Sequence, residues 1–140
     1  MGVVIEDLWD HEGYGARRLP DGTLTGTWSY ASRAFTAFVP ACGCGWSGDR
    51  EHPPTDEGGE AAISQWRVEH AEPLLARQAE RRQLRLARVL EWLGSQAGRL
   101  EDPATLARVR RTLGSAADLA AEVQRDLDRQ APERELDGER

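Results

Sequence analysis

Lysine and asparagine do not occur in this 140-residue chain, and all 18 of its lysine-or-arginine cations are arginine. Coding bias in a GC-rich genome is the plain explanation, so the arginine content alone does not imply phosphate binding. Long apolar runs are missing: none approaches the roughly 20 residues that a membrane-spanning helix needs. The opening residues Met1-Gly2-Val3-Val4-Ile5-Glu6-Asp7 have neither the basic nor the apolar region of a secretory signal. A cytoplasmic location is the expectation. There a cysteine pair stays reduced and binds metal or does chemistry. Catalytic signatures are missing too: no Walker-type phosphate loop, no His-Glu-x-x-His and no nucleophile elbow. One Cys-His dyad is conceivable, Cys44 with His70, but no residue can be named to orient it. The expectation is a protein that is not an enzyme.

What is present is unevenly spread. The chain is 39% hydrophobic and 30% charged with a net charge of -6, the balance of a soluble globular protein and a mild argument against nonspecific nucleic-acid binding. Residues 1–70 hold 11 acids and 5 arginines, whereas residues 71–140 hold 13 of each. The first half also has four of the five tryptophans, both tyrosines, both phenylalanines, both cysteines and all three histidines. The second half is mostly Ala, Leu, Arg and Glu. Two units are expected, meeting near Pro73: a small module over 1–72 and a helical segment over 73–131, followed by a disordered polar tail over 132–140.

Pattern assigns the fold class α+β. Residues 5–22 read as loop, with turn signals at Gly13, Gly15 and Pro20-Asp21-Gly22. Thr23 to Tyr30 and Ala34 to Ala41 read as a hairpin turning at Ala31-Ser32-Arg33, and a short third strand is expected around Trp46. Thr55 is a good N-cap with Asp56 and Glu57 in the first turn, and Ile63, Trp66, His70 and Leu74 then fall on one helical face. The result is an antiparallel β-β-β-α module. Beyond Pro73 a helix is expected to about Gly94, and a second from the Asp102 cap and Pro103 to a stop at Gly114. A third, opened by Ser115-Ala116-Ala117-Asp118, is expected to end near Gln130.

Chemistry concentrates in Cys42-Gly43-Cys44-Gly45-Trp46. Thiolates bind zinc well, and a glycine-rich turn lets two of them face one ion. The single-residue gap departs from the usual spacing of two to four. His70 offers a third ligand from the helix, tying sheet to helix. His52 is the first candidate for the fourth, His11 the second, and a carboxylate such as Asp49 or Glu51 the third. A structural zinc is the expected cofactor, because such an ion contributes directly to the folding of a module with a small core. Two other readings stand beside it: buried cysteines with a hydrogen-bonded core histidine, and a redox pair.

The Cys42-Gly43-Cys44-Gly45-Trp46 turn, with Trp66-Arg67-Val68-Glu69-His70 downstream, resembles a loose group of short, mostly uncharacterised proteins of high-GC Gram-positive bacteria. The resemblance covers residues 23–75. It implies a small sheet-plus-helix module with bound zinc and no established activity. The strand order is also similar to the double-stranded RNA-binding fold, but Asp56, Glu57 and Glu60 stand where that family carries its phosphate-gripping basic cluster.

Two further features bear on partners. Arg77, Arg81, Arg85 and Arg88 recur every three or four residues along the helix after Pro73, a stripe suited either to solvent or to an acidic partner surface. Trp28, Trp46, Trp66, Tyr30, Phe35 and Phe38 are expected to form the core of the sheet module. The leading expectation is an accessory or adaptor protein that associates with a protein partner, or with itself as a homodimer, through its C-terminal helices. A nucleic-acid-binding regulator using the arginine stripe is the alternative.

Overall fold

A computed structural model of the chain describes residues 2–131. It divides into two compact units between Ala76 and Arg77. The expected tail over 132–140 lies outside the described residues.

The first unit is built on a three-stranded antiparallel sheet in the order β2-β1-β3, as the α+β reading expects, though its strands lie elsewhere than predicted. The central strand β1 (Gly13–Arg18) falls in the stretch read as loop. It pairs with β3 (Ala37–Cys42) along its full length, from Gly13 opposite Cys42 to Arg18 opposite Ala37. It also pairs with the two-residue β2 (Leu24–Thr25). Its glycines resemble turn signals but answer to packing. A Cβ on Gly13 would lie 2.1 Å from the Trp66 ring, so only a residue without a side chain admits that indole over the strand.

The long strand expected over Thr23 to Tyr30 stops at Thr25, because its Thr and Ser side chains compete with the ladder for backbone groups. The Thr27 N–H donates to Thr25 Oγ1 at 3.2 Å, and the Ser29 N–H donates to Ser32 Oγ at 2.7 Å. The chain therefore curls into a short 3-10 turn, Tyr30–Ser32. Trp28 and Tyr30 are 69% and 83% exposed, outside the core they were expected to join. The strand expected at Trp46 reduces to a single bridge between Ala41 and Ser47.

Helix α1 (Asp56–Trp66) begins as its caps dictate: Thr55 Oγ1 accepts the Gly58 N–H at 3.1 Å, and Asp56 and Glu57 occupy the first turn. It packs on β1 and β3, burying Ala62 and Trp66 completely. A π turn, Arg67–Ala71, follows, in which the Glu72 N–H reaches back five residues to the Arg67 carbonyl. The core of the unit is small: Leu8, Cys42, Trp66 and Ala71, with Ile5, Ile63 and Leu74 packed against them.

Helix α2 (Glu72–Ser95) follows the π turn directly, and the boundary between the units falls within it. Helix α3 (Pro103–Gln130) starts at Asp102, whose carboxylate accepts the Thr105 N–H at 3.0 Å, with Pro103 in the first turn. The two helices expected on either side of Gly114 are one. A glycine costs about 1 kcal/mol inside a helix, and the buried series Thr105, Val109, Ala116, Leu119 and Asp126 continues across it at spacings of three, four or seven. Within the second unit Arg82 Nη1 donates to both carboxylate oxygens of Asp126, at 2.8 and 3.1 Å. Arg82 thereby joins α2 to α3 as an antiparallel hairpin with a short connection. No helix among the described residues is long and apolar enough to cross a membrane.

Candidate metal centre

Three separate segments of the first unit deliver four donor side chains to one place. The first is the N-terminal segment. Val3 and Gly13 exchange both backbone hydrogen bonds, at 2.7 and 2.8 Å, and Leu8 is 1% exposed in the core. The Leu8 N–H donates to the Ile5 carbonyl and the His11 N–H to the Leu8 carbonyl, so two successive turns aim His11 inward. Between them Asp7 takes φ 72°.

The second segment is the turn that ends β3. The Cys42 N–H donates to the Trp46 carbonyl at 2.8 Å and the Gly45 N–H to the Cys42 carbonyl at 2.9 Å. Gly45 sits at φ 101°, a conformation that a residue with a Cβ rarely adopts. The Gly43 N–H donates to the Glu12 carbonyl at 2.8 Å, which ties this turn to the residue beside His11. The third is the π turn carrying His70. A π turn inserts an extra residue into the helical ladder and is frequent at functional sites. His70 therefore does not simply continue the face of Ile63 and Trp66 at α-helical pitch.

The donors His11 Nδ1, Cys42 Sγ, Cys44 Sγ and His70 Nε2 all lie within 4.8 Å of one another. His70 Nε2 is 3.3 Å from His11 Nδ1 and 3.3 Å from Cys44 Sγ, and His11 Nδ1 is 3.7 Å from Cys42 Sγ. A tetrahedral zinc ion with its usual bond lengths requires N···N edges of about 3.3 Å, S···N edges of about 3.6 Å and an S···S edge of about 3.8 Å. Three edges match, and the widest separation must close by about 1 Å. Protons satisfy this arrangement poorly. Each neutral imidazole nitrogen has one lone pair or one hydrogen, yet His70 Nε2 and His11 Nδ1 each face two partners. One cation accepts all four lone pairs at once. The residues therefore lie close enough, and carry suitable donors, to hold a metal ion.

The surroundings disfavour an isolated charge on the Cys42 sulfur. Burial pushes the Cys42 thiol above its ordinary pKa; against that, the Cys44 backbone N–H and the Trp66 indole favour its thiolate, and Cys44 opposes it. The Trp66 Nε1–H is buried with no hydrogen-bond acceptor among the described residues. The sulfur of a neutral Cys42 is only a weak acceptor for that donor, whereas a metal-bound thiolate would place negative charge beside it. The Trp46 ring stacks on His70 with centroids 4.7 Å apart and planes at 15°, which fixes the imidazole from one side.

His52, the first sequence candidate for the fourth ligand, is not in the cluster. Its backbone forms a bridge with Phe38, and its Nε2 lies 2.7 Å from Gln65 Oε1. Gln65 in turn donates through Nε2 to Glu69 at 3.0 Å. That donation fixes the amide orientation, so its oxygen faces His52, and the His52 Nε2 carries a proton rather than a free lone pair. His11 stands at the fourth position instead. Nothing local marks it in the sequence, since it lies in a stretch that reads as loop, 31 residues from Cys42. Arg77, Arg81, Arg85 and Arg88 are all exposed on α2, and no ion pair holds them among the described residues. Comparison of the chain with protein-family models, with curated proteins and with solved structures found no match.

Proposed function

We propose that the first unit is a structural Cys2His2 zinc module and that the chain is a non-enzymatic cytoplasmic adaptor whose helical unit mediates association. The convergence of His11, Cys42, Cys44 and His70 carries this reading. Two thiolates balance the charge of one divalent zinc ion, so the complex adds no net charge to a half-buried site. Four protein ligands also leave no coordination position for water or substrate, which is how structural zinc sites differ from catalytic ones. The ion would close the chain over the 59 residues between His11 and His70, and so stabilise a unit whose core is only a few side chains deep. Two free cysteines suit a reducing compartment.

The test is native mass spectrometry of the purified chain, with cobalt substitution beside it. One zinc per chain and the visible absorption of tetrahedral cobalt bound to thiolates are expected. A metal-free protein whose thermal transition ignores added zinc would refute the reading.

The exposed row of Arg77, Arg81, Arg85 and Arg88, which has no ion-pair partner among the described residues, favours a second reading, a regulator that binds a nucleic-acid backbone. A salt-dependent gel shift abolished by Arg81→Glu together with Arg85→Glu would support it. No binding at low salt removes it.

A further inference from the structure

The helical hairpin has two unlike faces, and one of them carries a row of apolar residues that is exposed among the described residues. On α2 the half-buried positions include Leu86, Val89 and Leu93; on α3 the buried positions include Thr105, Val109, Ala116 and Leu119. These define the seam between the helices. One residue further along runs a second, exposed row: Leu106, Leu113, Ala117, Ala120 and Leu127 on α3, with Ala87 and Leu90 beside it on α2. The four leucines are 43%, 53%, 46% and 56% exposed in that order. A step of one residue is about 100° around a helix. Because the helices run in opposite directions, the same step carries both rows to the same side of the hairpin.

The row on α3 repeats every seven residues, at 106, 113, 120 and 127, the period of a helix seam rather than of a solvated face. It is also self-complementary. Turned about a two-fold axis near Ala116 and Ala117, Leu106 faces Leu127 and Leu113 faces Ala120, with the small Ala117 where the helices cross. Along this strip of a highly charged chain the charges are Arg110 near one end and Asp128 near the other. An antiparallel mate brings the arginine of each copy toward the aspartate of the other, whereas a parallel mate sets like against like.

The geometry points to a second copy of this chain as the occupant: two hairpins pack face to face across a two-fold axis as an antiparallel four-helix bundle. This rests on the reading of the helical unit as an association element and names its partner. The face is about 30 Å long and two helices wide, roughly 500 to 600 Å² per copy, at the low end for a specific interface. The dimer is therefore concentration-dependent. The arginine row over Arg77 to Arg88 stays outside it.

Sedimentation equilibrium of the full chain, with and without zinc, tests the proposal. Between about 1 and 200 µM the mass is expected to climb from 15.5 kDa toward twice that value. Leu113→Glu should hold it at the monomer mass with unchanged helical circular dichroism, since the leucine is exposed. Ala117→Cys should cross-link to itself under mild oxidation, whereas Ser115→Cys should give no more than the background from the native cysteine pair. A wild-type chain that is monomeric at 200 µM, or a dimer indifferent to Leu113→Glu and Ala117→Cys, overturns the proposal. Metal content is read separately, so loss of the dimer and loss of the zinc site are distinguishable.

Discussion

The Nδ1 atom of His11 and the Nε2 atom of His70 lie 3.3 Å apart although 59 residues separate them. Both also face a cysteine sulfur, so the pair is half of a four-donor set rather than an isolated hydrogen bond. His11→Ala should weaken zinc binding by more than about 100-fold, since losing a ligand costs more than losing a supporting contact. His52→Ala should leave affinity nearly unchanged, because that imidazole is spent on Gln65. Competition against a chromophoric chelator measures both. Equal losses from the two variants would mean that the ligand set has been misassigned.

Trp46 supplies the supporting contact, its indole stacked at 4.7 Å on the His70 ring. Groups that orient a ligand typically contribute 10- to 100-fold in metal affinity. Trp46→Ala is therefore expected to weaken zinc about 10-fold and to retain one ion per chain at saturation. Trp46→Phe, which keeps a flat ring, should recover most of that loss. An alanine variant with wild-type affinity would show that the stacking is incidental.

What could be read in advance divides by range. Thr55 and Asp102 are local signals: each caps its helix through its own side chain, and both helices start where those residues predict. Cys42, Cys44 and His70 are legible as ligand types on a turn and a helix. His11 is legible only as the second candidate for the fourth ligand, because its place depends on Leu8 packing into a core that the sequence does not display. Strand β1 was hidden for the opposite reason. Gly13 and Gly15 carry turn chemistry in isolation and acquire strand identity only once Trp66 and Phe38 claim the space above them. Gly114 is a local stop signal that yields to a buried stripe continuing on both sides of it.

Those two kinds of glycine predict opposite outcomes. Gly13→Ala must displace the Trp66 ring or the strand, at a cost of about 1 to 3 kcal/mol. Gly114 has open space around it within a helix, so Gly114→Ala should stabilise the second unit by about 1 kcal/mol. Thermal unfolding of each variant beside the wild type reads both. A neutral Gly13→Ala would contradict the packing of Trp66 on β1.

The Asp102 cap gives a pH dependence with a definite sign. Hydrogen bonds from the Thr105 hydroxyl and then its backbone N–H hold the Asp102 carboxyl below the ordinary aspartate value. A lowered folded-state pKa means stability that is present above the unfolded-state value and lost as pH falls through the folded one. Between neutral pH and about pH 3, wild-type α3 should therefore lose more helicity than Asp102→Asn, which caps without titrating. Parallel acid titrations followed by circular dichroism compare them. Superimposable curves would remove the cap from the acid response.

Asp126 is the sharpest test of the hairpin. Its side chain is 2% exposed and receives both bonds from Arg82, while Arg129 stands 3.6 Å away. Removing one partner of a buried pair strands the other charge, typically at 3 to 5 kcal/mol. Arg82 is 20% exposed and keeps Glu122 at 3.5 Å, so part of that penalty is relieved by water and by the second carboxylate. Asp126→Leu alone is expected to cost about 2 to 3 kcal/mol. The double variant Arg82→Met with Asp126→Leu removes both charges and restores apolar volume, so it should recover most of the loss. Chemical denaturation of the four corners of this cycle gives the coupling directly. A double variant as unstable as the sum of its parts would mean that Arg82 and Asp126 do not act as a pair across the seam.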